Sequence, residues 1–225
     1  MCFSPDADFT ASVVVGAVGV ATLRRVRGRR ELIIGALPLL FALHQFTEGF
    51  VWLGLRGEVS SGLGDVAKEM YVIFAYVALP IIVPLGLYLL EPSRKHRRWV
   101  LPFVILGVAV GGFLLWQVTQ HPLYAQEDAS CIAYNSNAPY MGQAAVLYVI
   151  ATCAPALLSS RRYLQWFGVV NIVGVAIAFS VREAELTSVW CVYAALVSVL
   201  ILEHFRRQRQ LELRMPGPRA AAASS

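Results

Sequence analysis

The run His44-Gln45-Phe46-Thr47-Glu48-Gly49-Phe50-Val51-Trp52 spaces an imidazole, a carboxylate and an indole four residues apart. Residues four apart share a helix face, so His44, Glu48 and Trp52 form one stripe with Gln45 beside it. The surrounding stretch is apolar and long enough to cross a bilayer, and it puts His44 near mid-depth. Ionisable groups at such depth cost about 2.5–3.5 kcal/mol each when charged, and they normally face the bundle interior and mark function. Three roles fit these residue types. They could hold a small solute, a proton or a metal ion. Glu48 or His44 could act as a general base in a membrane-embedded enzyme. Or the group could be a hydrogen-bonded knot between helices. Tyr76, Gln143 and Asn171, on three other apolar runs, are the polar residues expected to complete a ligand site, with Tyr148 and Thr152 as further candidates.

The elements that position these groups are apolar stretches at about 5–23, 32–55, 66–90, 99–118, 139–158, 164–181 and 188–205. The chain has 225 residues, 57% hydrophobic and 15% charged, with mean hydropathy +0.60. A soluble domain carries about 25% charged residues. The expected fold is therefore all-α, a polytopic membrane protein whose seven-transmembrane-helix bundle fills residues 1–207. A disordered tail is expected over 208–225. Ser4 is a favoured N-cap and Pro5 a favoured first residue, which gives the first helix bilayer length. The outer loop at about 119–138 is polar and could fold over the bundle. No cleavable signal peptide is expected before the first run.

Charge sets the orientation. Sixteen of the nineteen basic residues follow the first, third, fifth and seventh runs; only Arg56, Lys68 and Arg182 lie on the other side. That opposite side carries nine acids, counting Asp6 and Asp8 among them. The positive-inside rule then puts the N-terminus outside and the C-terminus in the cytoplasm of a plasma (inner) membrane. The basic residues at helix ends suit anionic head groups, so the expected partner is the lipid bilayer and not nucleic acid. The acidic outer rim favours a cationic solute.

Cys2, Cys131 and Cys191 fall near the oxidising side, and a Cys2–Cys131 disulfide is the expected pairing, with Cys153 a packed thiol. Removal of Met1 would expose an amine and a thiol on Cys2, a nucleophile able to use its own amine as base. The cofactor is left open, although some are disfavoured. Lys68 and Lys95 are the only lysines and neither lies in the last run, as a retinal Schiff base there requires. His44, His96, His121 and His204 lie at different depths and cannot share one Zn²⁺ or haem.

The opening Met1-Cys2-Phe3-Ser4, the basic cluster after the first run and the His44-Gln45-x-x-Glu48-Gly49-x-x-Trp52 pattern resemble an uncharacterised family of bacterial integral membrane proteins. The resemblance implies the membrane layout and carries no established activity. A binding or transport protein ranks ahead of an enzyme, for which no complete catalytic set is evident, and ahead of a purely structural or sensory bundle.

Overall fold

The computed structural model describes residues 4–128, 131–160, 162–180 and 186–214. Within them lie seven helices and one hairpin: α1 Pro5–Leu23, α2 Leu32–Leu55, α3 Ser61–Leu90, α4 Arg94–Gln120, β1 Leu123–Asp128, β2 Cys131–Ser136, α5 Met141–Leu157, α6 Arg162–Ser180 and α7 Leu186–Arg214. Four of these helices, α1 to α4, are long and apolar enough to cross a membrane; α5 and the Leu164–Gly174 part of α6 are apolar but shorter. Large apolar side chains such as Val13, Ile105, Val146, Val173 and Val199 point outward. Such surface suits lipid and not water. Trp99, Trp116 and Trp166 are exposed near helix ends, where interfacial aromatics belong.

Local chemistry explains the elements. Ser4 accepts a hydrogen bond from the Ala7 N–H at 3.3 Å, and Pro5 opens α1. α1 lies tightly along α2 because small residues line the seam. A Cβ on Gly19 would stand 2.7 Å from the Leu39 backbone, and one on Gly49 would stand 2.6 Å from the Phe9 ring. α3 contains a π turn at Ile73–Ala78, directly before Pro80. Pro80 has no N–H to give to the carbonyl one turn back. The Tyr148 hydroxyl of α5 donates to the Ala75 carbonyl within that turn at 3.0 Å. Gly107 of α4 lets the helix rest directly on the Pro80 carbonyl. The main core gathers Val15, Leu37, Phe41, Leu79, Leu87, Phe167, Ile201 and Phe205 from five helices.

Three features differ from the sequence expectation. The fold is not purely helical: the strands Leu123–Asp128 and Cys131–Ser136 pair antiparallel, from Leu123↔Ser136 to Asp128↔Cys131. Its strands are short and polar on one side, so hydropathy shows only a loop. α4 is longer than 99–118, because Ser93 caps it by accepting from the His96 N–H at 3.4 Å. α7 runs to Arg214, past the expected start of a disordered tail at 208. Arg207 pairs with Glu203 at 2.7 Å, and Gln208 donates to Glu31 at 3.2 Å, which ties this extension to the bundle. Residues 215–225 lie outside the described residues.

Candidate functional site

The stripe on α2 faces inward. His44, Gln45, Glu48 and Trp52 are 5%, 2%, 1% and 0% exposed. α1 covers one side of it. The contacts of Gly19 with Leu39, Gly16 with Ala42 and Phe9 with Gly49 fix an antiparallel register. That register brings Asp8 to the depth of Glu48 and Trp52, and Asp8 is wholly buried. α3 covers the other side. The Tyr71 ring stacks on the His44 imidazole, centroids 3.9 Å apart and planes 14° apart, and Phe74 lies at 4.7 Å.

The hairpin covers the same group from the end of the bundle. Tyr134 stacks on the outer side of Tyr71, centroids 4.6 Å apart and planes 13° apart. Ile132 is buried among Val51, Trp52, Ala67, Tyr71 and Val72. The Arg56 guanidinium lies 5.1 Å from the Trp52 ring centre and reaches Glu127 of β1 at 3.4 Å.

The hydrogen-bond accounting is unusual for so buried a place. Among the described residues, nothing hydrogen-bonds to Nδ1 or Nε2 of His44, to either amide atom of Gln45, or to Nε1 of Trp52. Buried polar groups are nearly always bonded, because each one left unbonded costs about 1–3 kcal/mol. Among the described residues no three His, Cys, Asp or Glu side chains are grouped to hold a metal ion.

The other residues picked out in the sequence divide. Tyr76 sits half-buried in the π turn against the Trp52 cluster. Gln143 is exposed on α5. Asn171 donates to the Phe167 carbonyl of its own helix at 2.6 Å. No described contact brings Gln143 or Asn171 to His44. Thr152 likewise donates to the Tyr148 carbonyl one turn back. Cys2 and the side chain of Cys131 lie outside the described residues, and the expected disulfide with them.

Sequence reasoning missed two carboxylates. Asp8 reads as an outer-rim acid, yet it shares a buried face with Ser12, Val15, Gly19 and Thr22. Helical spacing from the Ser4-Pro5 start was the available signal. Glu91 reads as a loop charge at the arginine-rich end, yet it is 1% exposed. It accepts from the Ser159 hydroxyl at 2.8 Å, from the Ser160 N–H at 3.0 Å and from the Ser160 hydroxyl, while the Ser93 N–H donates at 3.1 Å. Burial alone pushes this carboxyl up. The donors from Ser160, Ser159 and Ser93 together outweigh it and hold the group below its usual range. Arg97 closes the cluster by donating to the Glu91 carbonyl at 2.8 Å.

No curated protein and no solved structure matches this chain. The model of one family of unknown function, DUF6629, matches residues 1–215, and the chain therefore belongs to that family.

Proposed function

We propose that the chain is a seven-span inner-membrane protein, N-terminus outside, whose buried group around His44, Gln45 and Glu48 binds a small polar solute for uptake or sensing. One observation carries this reading. Five polar atoms of His44, Gln45 and Trp52, all more than nine-tenths buried, have no hydrogen-bond partner among the described residues. A structural knot satisfies its members internally; a binding site reserves their capacity for a ligand. Asp8 and Glu48 are both buried beside these atoms, and a cation is the ligand that would offset the charge of their ionised form. An enzyme using Glu48 or His44 as base with Cys2 as nucleophile draws on a residue outside the described ones.

The test is thermal unfolding of the purified protein in nanodiscs against a panel of probes: sodium, magnesium, methylammonium, choline and uncharged glycerol. A bound cation at a hundred times its Kd stabilises the fold by about 2.7 kcal/mol. Glu48→Gln keeps shape and removes the charge, so it should abolish that gain without lowering the unliganded melting point. A panel in which glycerol stabilises as well as the cations, or in which Glu48→Gln responds like wild type, overturns the reading. A reporter active only in the cytoplasm, fused to the C-terminus, checks orientation; an inactive reporter on well-expressed protein reverses it.

A further inference from the structure

We propose that the arginine-lined corner where the α1–α2 turn meets the end of α7 binds the phosphate of an anionic phospholipid, held by both segments at once. This corner is separate from the His44 group and lies at the opposite end of α2 from Trp52.

Two basic runs far apart in sequence meet there. Five arginines fall between positions 24 and 30, and three more between 206 and 209. Glu31 ties the runs together. One of its oxygens accepts from the Arg27 backbone N–H at 3.2 Å and the other from the Gln208 amide at 3.2 Å. Beneath that bond the turn is folded tightly onto α7: a Cβ on Gly35 would overlap the Val26 side chain and stand 3.6 Å from the Phe205 ring. The acids present leave most of the positive charge uncompensated. Over 24–31 and 203–209 eight arginines face only Glu31 and Glu203. Glu203 takes Arg207 at 2.7 Å, while Glu31 accepts from two uncharged N–H groups. Among the described residues no ion pair engages Arg24, Arg29, Arg30, Arg206 or Arg209, and the first four are exposed.

The depth of the corner selects lipid over a soluble anion. Val20 and Leu32 on either side of the turn, and Val199 and Leu200 ahead of Arg206, are exposed. Apolar surface therefore runs up to the arginines, and the phosphates of a bilayer lie where such surface gives way to charge. α7 has 29 residues, and about 20 suffice to cross the hydrocarbon. About nine remain beyond it, the stretch that begins at Arg206. On the proposed orientation this is the cytoplasmic leaflet, whose anionic lipids attract basic clusters. A guanidinium takes two phosphate oxygens at once in a fixed fork, so arginines from both runs can share one headgroup. The Arg94–Arg98 run on the same side is different. It comes from one segment, and its Arg97 is already turned to the Glu91 carbonyl.

Native mass spectrometry of the full chain in detergent, titrated with phosphatidylglycerol or phosphatidylcholine, reads the affinity for the first bound lipid. Wild type should bind phosphatidylglycerol about tenfold more tightly than phosphatidylcholine. Arg29→Gln with Arg30→Gln and Arg206→Gln should remove that preference. The same three positions changed to Lys keep the charge and should keep most of it, which separates loss of the site from loss of the fold. Arg94→Gln with Lys95→Gln and Arg98→Gln removes an equal charge elsewhere on that side and should leave the preference intact. Inorganic phosphate or glycerol phosphate in excess should not displace the lipid, because the acyl chains hold its phosphate beside the arginines. Equal wild-type affinity for the two lipids overturns the proposal. So does an equal loss in the two Gln triples, which would mean attraction to net charge alone, and so does displacement by the soluble phosphates, which would make the corner a site for a free anion.

Discussion

Glu91 and Glu48 are equally buried, each 1% exposed, but their neighbourhoods are built to opposite plans. Around Glu91 the chain brings serine hydroxyls and backbone N–H groups from residues 93, 159 and 160 onto the carboxylate. These donors come from two turns, α3–α4 and α5–α6, so the carboxylate ties two hairpin-like helix connections together. Around Glu48 the neighbouring His44, Gln45 and Trp52 keep five polar atoms without protein partners among the described residues. The Glu91 cluster uses its donors on the carboxylate, whereas those five atoms of His44, Gln45 and Trp52 have no partner among the described residues. A saturated cluster converts polarity into stability, and an unsaturated one holds that polarity back for something that arrives later. Which kind of cluster a buried acid belongs to is thus visible in its neighbours' bonds and not in its own burial.

The sharpest way to break this comparison is Glu91→Leu. It removes the acceptor for four hydrogen bonds and strands buried donors, each worth about 1–3 kcal/mol. We expect a loss of at least about 3 kcal/mol in reversible unfolding in micelles, with solute binding by the surviving folded fraction unchanged. A silent Glu91→Leu would show that saturation does not stabilise. A smaller effect follows from pH. The folded Glu91 carboxyl lies below its unfolded value, so its contribution is complete above the ordinary carboxylate range, about 4.3, and is lost as pH falls through the depressed value. Melting temperature should therefore fall below that range in wild type, and the slope should be shallower in Glu91→Gln. Smallest of all is Gln45→Leu. Replacing an unbonded buried amide by an apolar side chain of similar size should leave stability within about 1 kcal/mol or raise it, while solute stabilisation disappears. If Gln45→Leu destabilises as strongly as Glu91→Leu, the open site is a knot and the contrast collapses.

Much of this was legible from residues alone, for identifiable reasons. The helix positions follow from apolar length, and the inward stripe of His44, Glu48 and Trp52 follows from spacing on a single helix. What escaped depends on contacts between distant segments. Asp8 reads as surface charge until the Gly16 and Gly19 contacts set its depth against α2. Glu91 reads as a loop acid because its serine partners lie 68 and 69 residues away. The hairpin carries no strong turn signature, and its inward face is short enough that only the stack with Tyr71 shows it belongs to the site. Gln143 and Asn171 were chosen for polarity at suitable depth, but depth does not fix rotation, and one faces out while the other bonds its own helix.

The π turn at Ile73–Ala78 has a consequence for how this architecture can vary over time. Such a turn accommodates one residue more than an α turn, and one residue is about 100° of helical rotation. It therefore sets the facing of Tyr71 independently of the half of α3 that carries Pro80 and Pro84. Losing a single codon from this stretch would leave composition, hydropathy and helix length almost untouched. It would close the π turn to ordinary α-helix and leave Tyr71 facing the imidazole, while removing the turn that presents the Ala75 carbonyl to Tyr148. A one-residue loss in a regular α turn of this helix has no such slack and would turn its two halves by about 100° against each other, so the π turn is where its length can change without moving the aromatic roof of the site.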